Sequence, residues 1–109
     1  MDITSSKVAD FAIILAKKLM NVKIRVTILN NKDESRLASY GNNNLSLNNG
    51  RISDYFENFP SNMEAVIDLL IHEFGHHYSG DHLSREYNDA LTMLGAKMTM
   101  LALKEPKIF

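Results

Sequence analysis

Between residues 5 and 20 apolar side chains recur at helical spacing: Val8, Phe11, Ala12, Leu15 and Leu19 share one side, with Lys7, Asp10, Lys17 and Lys18 elsewhere. That pattern predicts an amphipathic helix laid over one side of a core. The period then changes. Val22-Lys-Ile-Arg-Val-Thr-Ile-Leu29 alternates apolar and polar positions and is rich in β-branched residues, so it predicts a half-buried strand. Asn30 to Ser35 has the composition of a turn or loop, Leu37 to Tyr40 reads as a second short strand, and Leu45 to Asn48 as a third with Leu45 and Leu47 on one face. Gly41-Asn-Asn-Asn44 between them reads as a hairpin turn, since Gly and Asn tolerate positive φ. The asparagines at 42–44 and 48–49 are assigned to turns rather than to a ligand site.

A connecting segment from Arg51 to Pro60 carries Tyr55, Phe56 and Phe59, which are expected to plug one end of the core. Ser61-Asn-Met-Glu64 then has the form of a capping box, with Ser61 as N-cap and Glu64 reaching back to it. In the helix it opens, Met63, Val66, Ile67, Leu70 and Phe74 form a core stripe, and Ala65, Leu69, His72 and His76 a neighbouring one. Gly80 is the expected end. A last helix runs from about Ser84 to Lys104, with Tyr87, Leu91, Leu94, Met98 and Leu101 inward and Pro106 beyond it. The expected architecture is α+β: an N-terminal helix, a small, mostly antiparallel three-stranded sheet, the histidine-bearing helix and a long C-terminal helix.

Composition narrows the classes. At 109 residues the chain has the size of one domain, residues 1–109, and its 45% hydrophobic and 23% charged residues are ordinary for a globular protein. The net charge is −1 and no basic run exceeds Lys17-Lys18, which argues against a nucleic-acid or anionic-membrane surface. Without cysteine there is no disulfide, thiol nucleophile or Cys-ligated metal. The apolar stretch Phe11 to Leu15 is too short to span a bilayer, and the N-terminus carries the acidic Asp2 and no positively charged start before an apolar run, so a cytoplasmic location is the default expectation.

Residues 72 to 82 read His-Glu-Phe-Gly-His-His-Tyr-Ser-Gly-Asp-His and contain all four histidines. On a helix His72 and His76 lie one above the other, so both imidazoles can meet one metal ion, and Glu73 is rotated to where it can reach a water on that ion. A catalytic zinc site needs a third protein ligand and an open position. His82 is the leading candidate, ahead of Glu86, Asp81 and Asp89. If the helix simply continued, His82 would be turned by about 240° and carried about 9 Å along the axis, out of reach. Ser79-Gly80-Asp81 supplies the break that the His82 assignment requires, through a glycine able to take the left-handed conformation.

The remaining residues receive plainer roles. His77 is expected to be packed or solvent-facing, and Tyr78 and Tyr87 to pack in the core. Met93, Met98 and Met100 are core filler. Asp81 and Asp89 are candidates to fix a histidine tautomer, with a helix cap as the other role for Asp81. Gly75, costly inside a helix, is expected to admit another backbone at close range.

The run from His72 to His82 resembles zincin metallopeptidases in which a third histidine follows His-Glu-x-x-His. The metzincin form would place a glycine at Ser79. The small bacterial domains of the SprT, YgjP and WLM type are more similar, because Asp81-His82-Leu-Ser84 leads directly into an amphipathic helix carrying Tyr87. Residues 69–84, with Leu94-Gly95-Ala96, also resemble zincin-type domains attached to Hsp90-like ATPases, which implies a possible partner domain or protein. The resemblance implies Zn2+ held by His72, His76 and His82, a small mixed sheet packed on the active helix, an edge strand beside a cleft, and hydrolysis of a peptide or protein substrate with Glu73 as general base. An extended substrate is expected near Leu45 to Asn48. The competing readings are a zinc-stabilised binding or regulatory domain without turnover, and a helical interaction protein without metal.

Overall fold

The computed structural model describes residues 3–31, 36–48 and 57–109. Helix α1, Ile3–Met20, buries Val8, Phe11, Ala12, Leu15 and Leu19, the side that the helical spacing marks. It stops in a left-handed C-cap. Asn21 adopts φ 56°, its N–H donates to the Lys17 carbonyl at 3.0 Å, and the Val22 N–H reaches back to Ala16 O at 3.4 Å. This reversal aims the chain into strand β1, Arg25–Leu29, with Ile24 buried just before it.

Strands β2, Ala38–Gly41, and β3, Asn44–Asn48, form a hairpin. Its turn residues Asn42 and Asn43 take φ 52° and 58°, the geometry whose twist matches the flanking strands. The left-handed positions thus fall on the two asparagines and not on Gly41. The sheet order is β1-β3-β2, so β3 is central, with Leu45 and Leu47 wholly buried on one face. β2 runs antiparallel to β3 from Ala38↔Leu47 to Gly41↔Asn44, whereas β1 runs parallel to β3 from Arg25↔Asn44 to Leu29↔Asn48. The sheet is therefore mixed, not mostly antiparallel. The hairpin occupies one side of β3, and β1 enters along the other, where Arg25 N–H donates to Asn43 O at 2.9 Å.

Asn48, the last residue of the expected third strand and also grouped with the turn asparagines, is a strand residue only 2% exposed. Its carboxamide accepts from Asn31 N–H at 3.0 Å and donates to the carbonyls of Asn31 and Arg36 at 2.8 and 3.3 Å. It joins the two ends of the β1–β2 connection and thereby fixes Arg36 at the start of β2. The connection's middle, residues 32–35, lies outside the described residues, as do Tyr55 and Phe56. Phe59 does help close one end of the core, its ring 5.3 Å from that of Phe11, which also meets Phe109 at 5.9 Å.

Helix α2 spans Met63–Gly75 and helix α3 Arg85–Lys104, followed by a short 3-10 turn at Pro106–Ile108. Val66, Leu70 and Phe74 of α2 join Leu94, Met98 and Leu101 of α3, the buried side of α1, and Leu45 and Leu47 in one core. The capping box at α2 does not form. Asn62 is its N-cap, without a side-chain cap bond, and Ser61 Oγ donates instead to Asn58 O at 2.6 Å. At α3 the expected start holds: Ser84 Oγ accepts from Tyr87 N–H at 3.0 Å. Met100, 49% exposed, is not core filler, while Met98 is buried and Met93 half-buried. Among the described residues no helix is long and apolar enough to cross a membrane.

Candidate metal centre

The break that redirects the chain comes earlier than Gly80. α2 ends at Gly75, and His76 is its C-cap with φ −68° and ψ −15°. The N–H groups of His76, His77 and Tyr78 each reach back three residues, to Glu73, Phe74 and Gly75, at 3.0 to 3.1 Å, so the last turn tightens and stops. Among the described residues no glycine has positive φ, so Gly80 does not act through a left-handed cap. Residues 79–84 then carry the chain back toward α2. Gly75 is buried because Tyr87 needs the space: a Cβ there would lie 2.7 Å from Tyr87 Cε2 and 3.1 Å from Leu91 Cδ2. The close approach is thus by a side chain, where a second backbone was expected.

The consequence is a convergence of three imidazoles. His82 Nε2 stands 2.8 Å from His76 Nε2 and 3.1 Å from His72 Nε2, and the ligand atoms of all three residues lie within 4.8 Å of one another. Nitrogens at ~2.0–2.1 Å from a tetrahedral zinc are separated by about 3.3 Å, close to this spacing. Three Nε2 atoms this close can each give a lone pair to a cation at their centre. The donor set therefore fits a metal ion. Ser79 O accepts the Nδ1–H of His76 at 3.1 Å, which leaves the Nε2 lone pair of His76 aimed at the cluster. The Tyr87 ring backs the three imidazoles with centroids 5.0 to 5.9 Å away, and its hydroxyl donates to the His72 carbonyl at 2.7 Å.

Glu73 is 5% exposed, and its Oε2 lies 4.0 Å from His72 Nε2. Burial raises its carboxyl pKa, and the nearby His76, His82 and Arg36 partly oppose that rise. The carboxylate borders a cleft of about 710 Å³ whose walls include Leu69, His72 and His76 on one side and Arg36 to Tyr40 on the other. β2, the strand on that second wall, is an edge of the sheet, whereas β3 is paired on both sides. No strand can add along Leu45 to Asn48, contrary to the pose expected there.

The other acidic candidates stand outside the cluster. Asp81 accepts from Leu83 N–H at 2.9 Å within the turn and does not cap α3, whose N-cap is Ser84, and the exposed Asp89 lies 3.9 Å from Arg85. Glu86 is exposed, and neither it nor the two aspartates belongs with the three histidines that could share an ion. His77 is half-buried and turned to a different partner, its Nδ1 3.0 Å from the Tyr40 hydroxyl. Tyr78 is exposed, while Tyr87 is buried as expected. Sequence reasoning gave Tyr40, Ser79 and Ser84 no hydrogen-bonding role at the site. Tyr40 meets its partner 37 positions away. Serine in a turn gives no signal of which hydroxyl it will meet.

Comparison of the chain with protein-family models, with curated proteins and with solved structures finds no match in any of the three.

Proposed function

We propose that this protein is a zinc-dependent metallopeptidase. The observation that carries the reading is a buried carboxylate, Glu73, held 4.0 Å from His72 Nε2 at the wall of an open cleft. A site whose only purpose was to tie the fold together would be closed by a fourth protein ligand and would have no use for that group. His72, His76 and His82 would hold the ion, which supplies Lewis acidity: it lowers the pKa of a coordinated water toward ~7 and polarises a carbonyl.

The chain's own groups do the rest. Glu73, its basicity raised by burial, accepts the proton of the attacking water and returns it to the leaving amine. An extended peptide fits beside β2. Leu37 pairs with Asn48 through the bond from Asn48 N–H to Leu37 O, so the alternation of an antiparallel ladder turns the amides of Ala38 and Tyr40 toward the open edge. Those groups are available to pair with substrate main chain.

The test is hydrolysis of a broad peptide library by the zinc-loaded protein and by Glu73→Gln. The reading expects cleavage by the wild type and none by the variant at equal zinc content. A wild type that binds zinc and cleaves nothing would instead support a zinc-stabilised binding domain.

A further inference from the structure

We propose that Ser79 and Ser84 are positioning residues that set His82 for metal, through a closed ring of hydrogen bonds that begins and ends on Asp81. The inference rests on the three-histidine site argued above. His82 is exposed, and among the described residues its Nδ1 has no hydrogen-bond partner, so apart from its contacts with the His72, His76 and Tyr87 rings its aim depends on the backbone that carries it. That backbone is held by side chains. Asp81 N–H donates to Ser79 Oγ at 3.3 Å, Ser79 and Ser84 hydroxyls meet at 2.9 Å, and Ser84 Oγ donates to Asp81 O at 2.7 Å.

The direction of the middle bond follows from counting hydrogens. Each serine has one hydroxyl proton. Ser84 uses its proton on the Asp81 carbonyl, so Ser79 must donate to Ser84. Every hydroxyl in the ring then donates once and accepts at least once, with Ser84 also accepting from Tyr87 N–H. The ring therefore constrains both the N–H and the C=O of the residue immediately before His82. Ser79 also accepts His76 Nδ1–H through its carbonyl, so one residue orients the second ligand directly and the third through the ring. The loop's shape is thereby set without metal.

Ser79→Ala separates this role from simple capping. It opens the ring but leaves Ser84 Oγ as the acceptor of Tyr87 N–H, so the start of α3 is kept. The expected result is a fall in zinc affinity of about tenfold, the lower end of what losing a group that orients a metal ligand costs. The melting temperature of the metal-free protein should stay near that of the wild type, and Ser79→Thr, which retains the hydroxyl, should recover affinity. With cobalt as the probe, the visible spectrum of Ser79→Ala should move toward that of His82→Ala. Wild-type zinc affinity and an unchanged cobalt spectrum in Ser79→Ala would overturn the proposal while leaving the three-histidine site intact. A wild type that takes up neither metal would overturn the site itself and this inference with it.

Discussion

Burial raises the Glu73 carboxyl pKa because the charged form loses water, and the nearby imidazoles and Arg36 recover only part of that loss. For an acid whose folded pKa lies above its unfolded value, the unfolded chain gives up its proton first, so stability falls as pH rises through the window between the two. Without metal, Glu73→Gln should therefore be at least as stable as the wild type at pH 7, with the advantage vanishing toward about pH 4. Thermal melts of the two proteins across that range check this, and a gap independent of pH would count against it. Gly75 offers a second residue-level test. Alanine there gains up to about 1 kcal/mol of helix propensity, but its Cβ meets the Tyr87 ring, which the bond to His72 O prevents from moving away freely. Overpacking costs about 1–3 kcal/mol, so Gly75→Ala should melt lower and bind zinc more weakly. At this scale the spacing of His72, Glu73 and His76 was legible because it depends on one helical turn. The Tyr40–His77 and Ser79–Ser84 contacts were not, since each joins side chains from segments whose meeting is decided by the fold.

Elements were legible where a local rule decides them. The apolar side of α1 and the start of α3 near Ser84 follow from residues within a few positions of one another. The Asn42-Asn43 turn does so as well: with φ near 55° at both positions, Asn43→Gly should leave stability nearly unchanged or raise it. Asn43→Ala should cost about 1 kcal/mol in denaturant titration, because a Cβ disfavours the left-handed region. Equal stability of these two variants would refute the assignment. The rules failed where a competing partner was nearer. Ser61 is drawn to the Asn58 carbonyl and does not cap α2, and α2 stops at Gly75, five residues before the glycine expected to end it. The reversal that the His82 assignment needs is nevertheless present. It is built from 3-10 hydrogen bonds and a serine ring, devices that no single glycine marks.

At the scale of the whole molecule, alternation of apolar residues predicted three strands but not how they pair. The β2–β3 hairpin leaves one side of β3 for β1, and both that position and the parallel direction of β1 are non-local choices. The resulting order makes β2 the cleft-side edge, which moves the expected substrate path from Leu45–Asn48 to Ala38–Tyr40. Ala38→Pro removes an outward N–H without breaking a ladder bond, so zinc content should be unchanged. Peptide cleavage should fall by up to about tenfold, the effect of one lost hydrogen bond. Undiminished cleavage would place the substrate elsewhere. The central claim, that residues 79–84 return His82 to share one ion with His72 and His76, is tested most directly by elemental analysis of protein purified without chelator. The wild type should carry about one zinc per chain, and His82→Ala, if folded by circular dichroism, should lose most of it. No zinc in the wild type, or equal zinc in folded His82→Ala, would contradict it.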